Sequence, residues 1–479
     1  MKRILLIITA LSLTLAASAK LVLPPQVGDY MVLQQQAQAR LWGWADPGTR
    51  VDVTVSWDGR KYSARADRDG AWSLEVATPE GSFTEYTVTL AAGKEELTLR
   101  HVLVGEVWLG SGQSNMEMTL RGFDNCPVEG AMREVAGAGR YRGRIRIATL
   151  PKTDAYSPRK VTGGPWLESA PENVLGFSAA AWFFAKTLTE VLDVPVGVIT
   201  NAWGGSRVEG WLPKEIVSTY PGVASDSLAI RRIFQMHRPT VMYYGQWAPV
   251  RNYTFRGVIW YQGETNVDMD PTAYAERMET LIALWRKETG KAALPVYQVE
   301  IAPYAAYGDG ADGTSAALLR EQQWKASDET ENCWTISTAD LVLPFETDQI
   351  HPARKREVGE RLGWMALHHT YGKTYFPGVA PTYKSCEVNG REMILTFDHI
   401  RETGGYNLWN AVQGLEICGP DGIWHPAQAH VVNFRQTLSV SSPEVEQPVA
   451  VRYAFRNWLP GNLTGASGLA VPPFRTDAQ

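Results

Sequence analysis

The sequence predicts an α/β protein: a mostly parallel central sheet with helices on both faces, flanked at each end by β-rich, sandwich-like regions. Three observations carry this reading. Residues 104–371 alternate apolar strand-like runs with helical patterns, the rhythm of the strand–helix–strand units that build parallel sheets. Before and after that stretch, short runs of alternating apolar and polar residues are broken by turn signals, as in antiparallel sheets. Finally, 479 residues, 44% apolar and only 20% charged, suffice for roughly two to four domains with buried cores.

Taken in order, residues 1–19 read as a secretory leader. Lys2 and Arg3 supply its positive end, residues 4–15 an apolar run too short to span a membrane, and Ala17-Ser18-Ala19 a small-residue cleavage site. The mature chain is expected to begin near Lys20 and to be exported, to the periplasm or beyond, without a membrane span. Over 20–103, predicted strands at 40–44, 51–57, 72–76 and 86–91 are separated by Asp46-Pro47-Gly48, Asp58-Gly59 and Asp69-Gly70, which suggests an antiparallel sandwich. Over 104–371, strands are predicted at 104–109, 195–200, 257–261, 296–301 and 333–337, and helices at 178–192, 271–288, 314–326 and 353–369. In such folds ligands bind beyond the carboxyl ends of the strands. Over 372–479, strands return at 393–397, 415–418, 430–434 and 449–455.

Composition narrows the partners. A net charge of −5 lacks the concentrated basic field that nucleic-acid binding needs. The 18 Trp and 19 Tyr offer flat faces for packing or for sugar rings. Cys126, Cys333, Cys386 and Cys418 form no CxxC pair and have no His in zinc-site register, so they suggest no zinc site; the reading reached below calls for neither a metal nor a cofactor. Export permits a Cys386–Cys418 staple, and free thiols are an equal alternative.

Chemistry gathers on loops that follow predicted strands. Gly110-Ser111-Gly112-Gln113-Ser114-Asn115-Met116 places Ser114 at a strand-to-helix turn, where orphan backbone N–H groups are available to an oxyanion. Thr347-Asp348-Gln349-Ile350-His351-Pro352 offers an imidazole base with a carboxylate three residues before it to fix its tautomer. Asn201-Ala202-Trp203-Gly204-Gly205-Ser206 supplies a glycine N–H that a ligand can approach closely, and Gln262-Gly263-Glu264-Thr265-Asn266 an amide donor. Each loop alone reads as a turn or a cap; together they supply a nucleophile, an oriented base and donors.

In this order the loops resemble the blocks of the SGNH hydrolases, and the string around Ser114 is similar to that of the sialate O-acetylesterase family. Met31-Val32-Leu33-Gln34, Trp42-Gly43-Trp44-Ala45-Asp46-Pro47-Gly48, Gly468-Leu469 and Pro473-Phe474-Arg475 extend the likeness over nearly the whole mature chain. Tyr243-Tyr244-Gly245-Gln246-Trp247 departs from it. The resemblance implies an SGNH-hydrolase-like three-layer domain and a serine esterase with Ser114 as nucleophile, His351 as base and Asp348 as acid. It implies an oxyanion hole of the Ser114 N–H, the Gly205 N–H (Gly204 the alternative) and the Gln262 amide (Asn266 the alternative). The expected substrate is an O-acetylated sialic acid or other acetylated glycan, cleaved through an acetyl-enzyme. Acetylated xylan is the nearer alternative, and a non-catalytic glycan-binding protein the more distant one. Activity is expected to fall as pH drops through the imidazole's titration, about 6.5 if unperturbed. Residues 213–239 are left open between lid, partner surface and packing.

Overall fold

The computed structural model describes residues 20–158, 163–407, 410–432 and 437–477. The expected leader, 1–19, and the end of the predicted strand at 430–434 lie outside the described residues. The central strands are β1 (Glu95–Gly112), β2 (Ile145–Thr149), β3 (Val196–Thr200), β4 (Gly257–Tyr261), β5 (Val296–Val299) and β6 (Cys333–Ile336). They lie in the order β6-β5-β4-β1-β3-β2, with every neighbouring pair parallel. A short antiparallel strand, Leu167–Glu168, closes the β2 edge.

β3 and β4 are mostly apolar and buried at every position because both faces are covered. In β4, Val258 and Trp260 join one core with Leu281, Trp285 and Leu319, while Ile259 and Tyr261 join the other with Phe184, Leu362 and Ala366. The helices responsible are α2 (Ala179–Leu192) and α5 (Lys355–His369) on the second face, and α3 (Tyr274–Thr289) and α4 (Ser315–Glu329) on the first. Trp260 meets Trp211 and Trp285 edge-to-face at 5.5 and 5.4 Å, contacts worth about 0.5–1.5 kcal/mol each beyond burial. Trp108, Trp166, Trp182, Trp211, Trp247, Trp260 and Trp285 are fully buried, so these indoles serve packing.

β1 also belongs to the N-terminal region. Its first half pairs antiparallel with Ser82–Ala92 and its second half enters the parallel sheet; the expected border at 103/104 therefore falls inside one continuous strand. C-terminally, Thr382–Asn389, Glu392–Asp398, Thr437–Ser441 and Gln428–Val432 form one antiparallel sheet, and Trp424–Pro426, Leu415–Cys418, Ala450–Tyr453 and Phe474–Arg475 another. Leu395 and Leu438 of the first share a core with Ile417 and Val451 of the second. All four cysteines are free thiols. No helix among the described residues is long and apolar enough to cross a membrane.

The chain leaves β1 for strands on one side of it and later returns to build the other side. Such a switch point opens a crevice at the carboxyl end of the central strand. Ser114 stands two residues beyond β1, flanked by the loops that follow β3 and β4.

Candidate active site

The turn after β1 is set by Gly112. Its φ is +136°, and a Cβ there would lie 2.1 Å from the Tyr261 carbonyl oxygen, so only glycine allows β1 and β4 to run this close. Gln113 N–H then donates to Tyr261 O at 2.9 Å, and on the other side Trp203 N–H donates to Gly112 O at 2.9 Å. The turn that carries Ser114 is thus docked by backbone to both neighbouring loops before any side chain is considered.

Ser114 begins the short helix α1 (Ser114–Glu117) and is half-buried. Its N–H is among the first-turn donors that a helix leaves unpaired, and it has no acceptor among the described residues. The β3 loop lies against it: a Cβ on Gly204 would come within 3.2 Å of Ser114 Cβ. Gly204 N–H is committed to Glu117 Oε2 at 2.6 Å, and Glu117 in turn pairs with Lys152 at 2.7 Å. Gly205 N–H has no acceptor among the described residues. Gly205 has φ +74°, and a Cβ there would lie 2.2 Å from Met236 Sδ. Residues 213–239 therefore place Met236 on the glycine of the second loop. That segment is held to the facing loop by Arg238, which donates to Asp154 Oδ2 at 2.7 Å and to Tyr156 Oη at 2.9 Å.

The carboxamides of the third loop are engaged internally. Gln262 is fully buried, and its Nε2 lies at donor distance from Gln113 Oε1 (3.1 Å), Ser206 O (3.0 Å) and Asn266 Oδ1 (2.8 Å). Asn266 Nδ2 donates to the Glu209 carboxylate at 3.2 Å. Either amide reaches a ligand only by exchanging one of these acceptors.

His351 is half-buried, with the edge of Phe123 against its ring at 5.0 Å. Its Nδ1 faces the thiol of Cys126 at 3.9 Å, and that thiol donates to Gln349 Oε1 at 2.9 Å. Asp348 is exposed, and neither Asp348 nor Ser114 Oγ makes a hydrogen bond to His351 in this structure. Apo sites often hold such bonds open until substrate arrives. Burial, and then the charge of Lys355, push the His351 pKa down to about 4.

What joins the two loops is Asn115. Its Nδ2 donates to Ile350 O at 3.0 Å and to Glu264 Oε1, and its Oδ1 accepts from Lys355 Nζ at 2.8 Å. Asn115, Glu264 and Lys355 were assigned no role from the sequence, although the first two stand in the quoted strings. The signal for Lys355 was its place: a cation in the first turn of a helix opposes the dipole and so calls for a local partner.

The chain is similar to known proteins over most of its length. A family model described as carbohydrate esterase, sialic acid-specific acetylesterase matches residues 104–368. The chain is 27% identical over 467 residues to the sialate O-acetylesterase of Pongo abelii and 26% identical over 465 residues to that of Homo sapiens, covering 90% of this chain and 87% of each relative. Among solved structures, a carbohydrate acetylesterase from Xanthomonas citri superposes with a TM-score of 0.83 at 32% identity, over 96% of this chain and 100% of that one.

Proposed function

The chain belongs to the carbohydrate esterase family of sialic acid-specific acetylesterases, and from that premise we propose that it removes O-acetyl groups from sialic acids through a covalent acetyl-enzyme on Ser114. Ser114 Oγ attacks the acetyl carbonyl carbon while His351 takes the hydroxyl proton. The oxyanion of the tetrahedral intermediate accepts hydrogen bonds from the N–H groups of Ser114 and Gly205. Collapse expels the sugar oxygen, which His351 protonates. A water deprotonated by His351 then attacks the acetyl-enzyme and releases acetate.

Two members of the scheme need movement. Asp348 has to turn inward to reach the imidazole, and Gln262 has to release an internal acceptor to serve as third donor. The observation that carries the reading is the state of the backbone donors: the Ser114 and Gly205 N–H groups have no acceptor among the described residues, whereas the Gly204 N–H is spent on Glu117. Preorganised donors of this kind are worth about 3 kcal/mol each. Export, with removal of 1–19, is part of the proposal and is checked by N-terminal sequencing of the secreted protein.

Acetate release from mono-O-acetylated sialic acids, measured beside acetylated xylan, tests the substrate. Turnover of the sialic acids is expected, and Ser114→Ala is expected to abolish it with the fold intact. Turnover of xylan alone would move the assignment to the acetylxylan class. Tight glycan binding without acetate release would replace it with a binding protein.

A further inference from the structure

Lys355, the first residue of α5, is 1% exposed and Asn115 is 0% exposed. The ammonium donates to Asn115 Oδ1 at 2.8 Å and to Pro352 O at 2.7 Å. Asn115 Nδ2 donates to Ile350 O at 3.0 Å. The carbonyls immediately before and after His351 are therefore both bound by one cluster, and that cluster includes the residue immediately after Ser114. The same Asn115 amide reaches Glu264 Oε1, which ties in the loop after β4. The far end of the His351 loop is fixed separately: Glu346 accepts from Leu343 N–H at 2.7 Å and from Ala353 N–H at 2.8 Å.

We propose that Lys355, acting through Asn115, is a positioning residue for the esterase reaction, a buried amino group that clamps the loop carrying His351 to the turn carrying Ser114. The proposal rests on the Ser114–His351 reading. A buried ammonium is a costly way to fill space, and apolar residues of similar volume often serve stability as well or better. The position instead requires a group with several donors that reaches a side-chain oxygen and a main-chain carbonyl at once, which an ammonium provides. The Asn115 carboxamide relays the polarity, its oxygen toward Lys355 and its nitrogen toward Glu264.

The charge has a second consequence. The groups facing Lys355 are Glu264 from the β4 loop, Glu346 from the His351 loop, the Cys126 thiol, and the ring face of Tyr261 at 5.8 Å. Burial lowers the Lys355 pKa to about 7 despite these groups, and burial raises that of Glu264. His351 faces Lys355, Cys126 and Phe123, with Asp348 exposed three residues before it. As pH falls below neutrality Lys355 gains its proton first. Its charge then opposes protonation of His351 and keeps the imidazole a base.

The test is the pH dependence of kcat and kcat/KM for 4-nitrophenyl acetate in wild type, Lys355→Met, Asn115→Ala and the double variant, with thermal melting of each. Misplacing a catalytic group by about 1 Å can cost a hundredfold; Lys355→Met is expected to lower kcat by about tenfold to a hundredfold with KM nearly unchanged. Its acid limb is expected to move upward, towards 6.5. Asn115→Ala is expected to lose a similar factor, and the double variant little more than either single one. A folded Lys355→Met with wild-type kcat and an unmoved acid limb would overturn the proposal. So would losses that multiply in the double variant, or, if Lys355→Met does not fold, a folded Asn115→Ala with wild-type kcat. Ser114→Ala in the same assay separates the two readings: turnover there refutes the nucleophile, whereas an inactive Ser114→Ala beside a wild-type Lys355→Met refutes the clamp alone.

Discussion

The two sides of the Ser114 turn are built in opposite ways. On the His351 side, Asn115, Glu264, Glu346 and Lys355 are all buried, and their hydrogen bonds hold a loop by its own backbone. On the Met236 side, Phe234 is 66% exposed and the segment is held by the Arg238–Asp154 pair, whose side chains are 18% and 27% exposed. A bond in a low-dielectric interior is stiff and costly to break, while a partly exposed ion pair contributes about 1 kcal/mol or less. The His351 side is therefore the more rigid of the two, and the Met236 side the more adjustable.

Breaking the rigid side should have the largest effects. Ser114→Ala and His351→Ala should each lower kcat by about 10⁴-fold or more, and the double variant little further, because residues that act as a unit lose their effect together. Next is Gly205→Ala. The added Cβ would collide with Met236 in a backbone conformation that disfavours it, shifting an oxyanion N–H and lowering kcat by about tenfold to a hundredfold. On the adjustable side, Arg238→Ala should raise KM by about twofold to fivefold while kcat stays within about a factor of two, the pattern of lost uniform binding. Smallest is a control far from the Ser114 turn: Asp398→Asn, which removes the exposed pair with Lys384, should change unfolding free energy by about 0.5 kcal/mol or less.

The pH profile sharpens the same contrast. The folded-state pKa of His351 is lowered, first by burial and then by Lys355, to about 4. The base form persists to lower pH than for a free imidazole, and activity is lost only as pH falls through the lowered value. The value of about 6.5 belongs to an unperturbed imidazole, and burial moves the expected decline below it. kcat/KM measured from pH 8 downward should hold through 6.5 and fall in the range approaching 4.

Much of this was legible in the sequence. The runs that became β3 to β6 are mostly apolar, and Ser178 caps α2 by accepting from Ala181 N–H at 3.2 Å, so strands, helix starts and the loops beyond them could be placed. β2 escaped because Arg146 interrupts its apolar run. That side chain is 0% exposed, set between Glu85 and Glu168, and partners 61 and 22 residues away leave no local trace. The long reach of β1 was hidden for a related reason: the turn signals that divide sandwich from sheet are absent inside a strand shared by both. Within the site, loop identity was readable and hydrogen-bond commitment was not. Nothing in the string Gln262–Asn266 shows that both amides are spent on buried acceptors, or that Asp348 faces outward while a thiol lies on the imidazole.

The account stands on Ser114 and His351 acting together at the carboxyl end of β1, and covalent labelling tests this most directly. A fluorophosphonate that reacts only with base-activated serines should modify the peptide containing Ser114 in the wild-type protein, as read by mass spectrometry, and His351→Ala should lose the label. Labelling at another serine, or unchanged labelling of Ser114 in a folded His351→Ala protein, would contradict it.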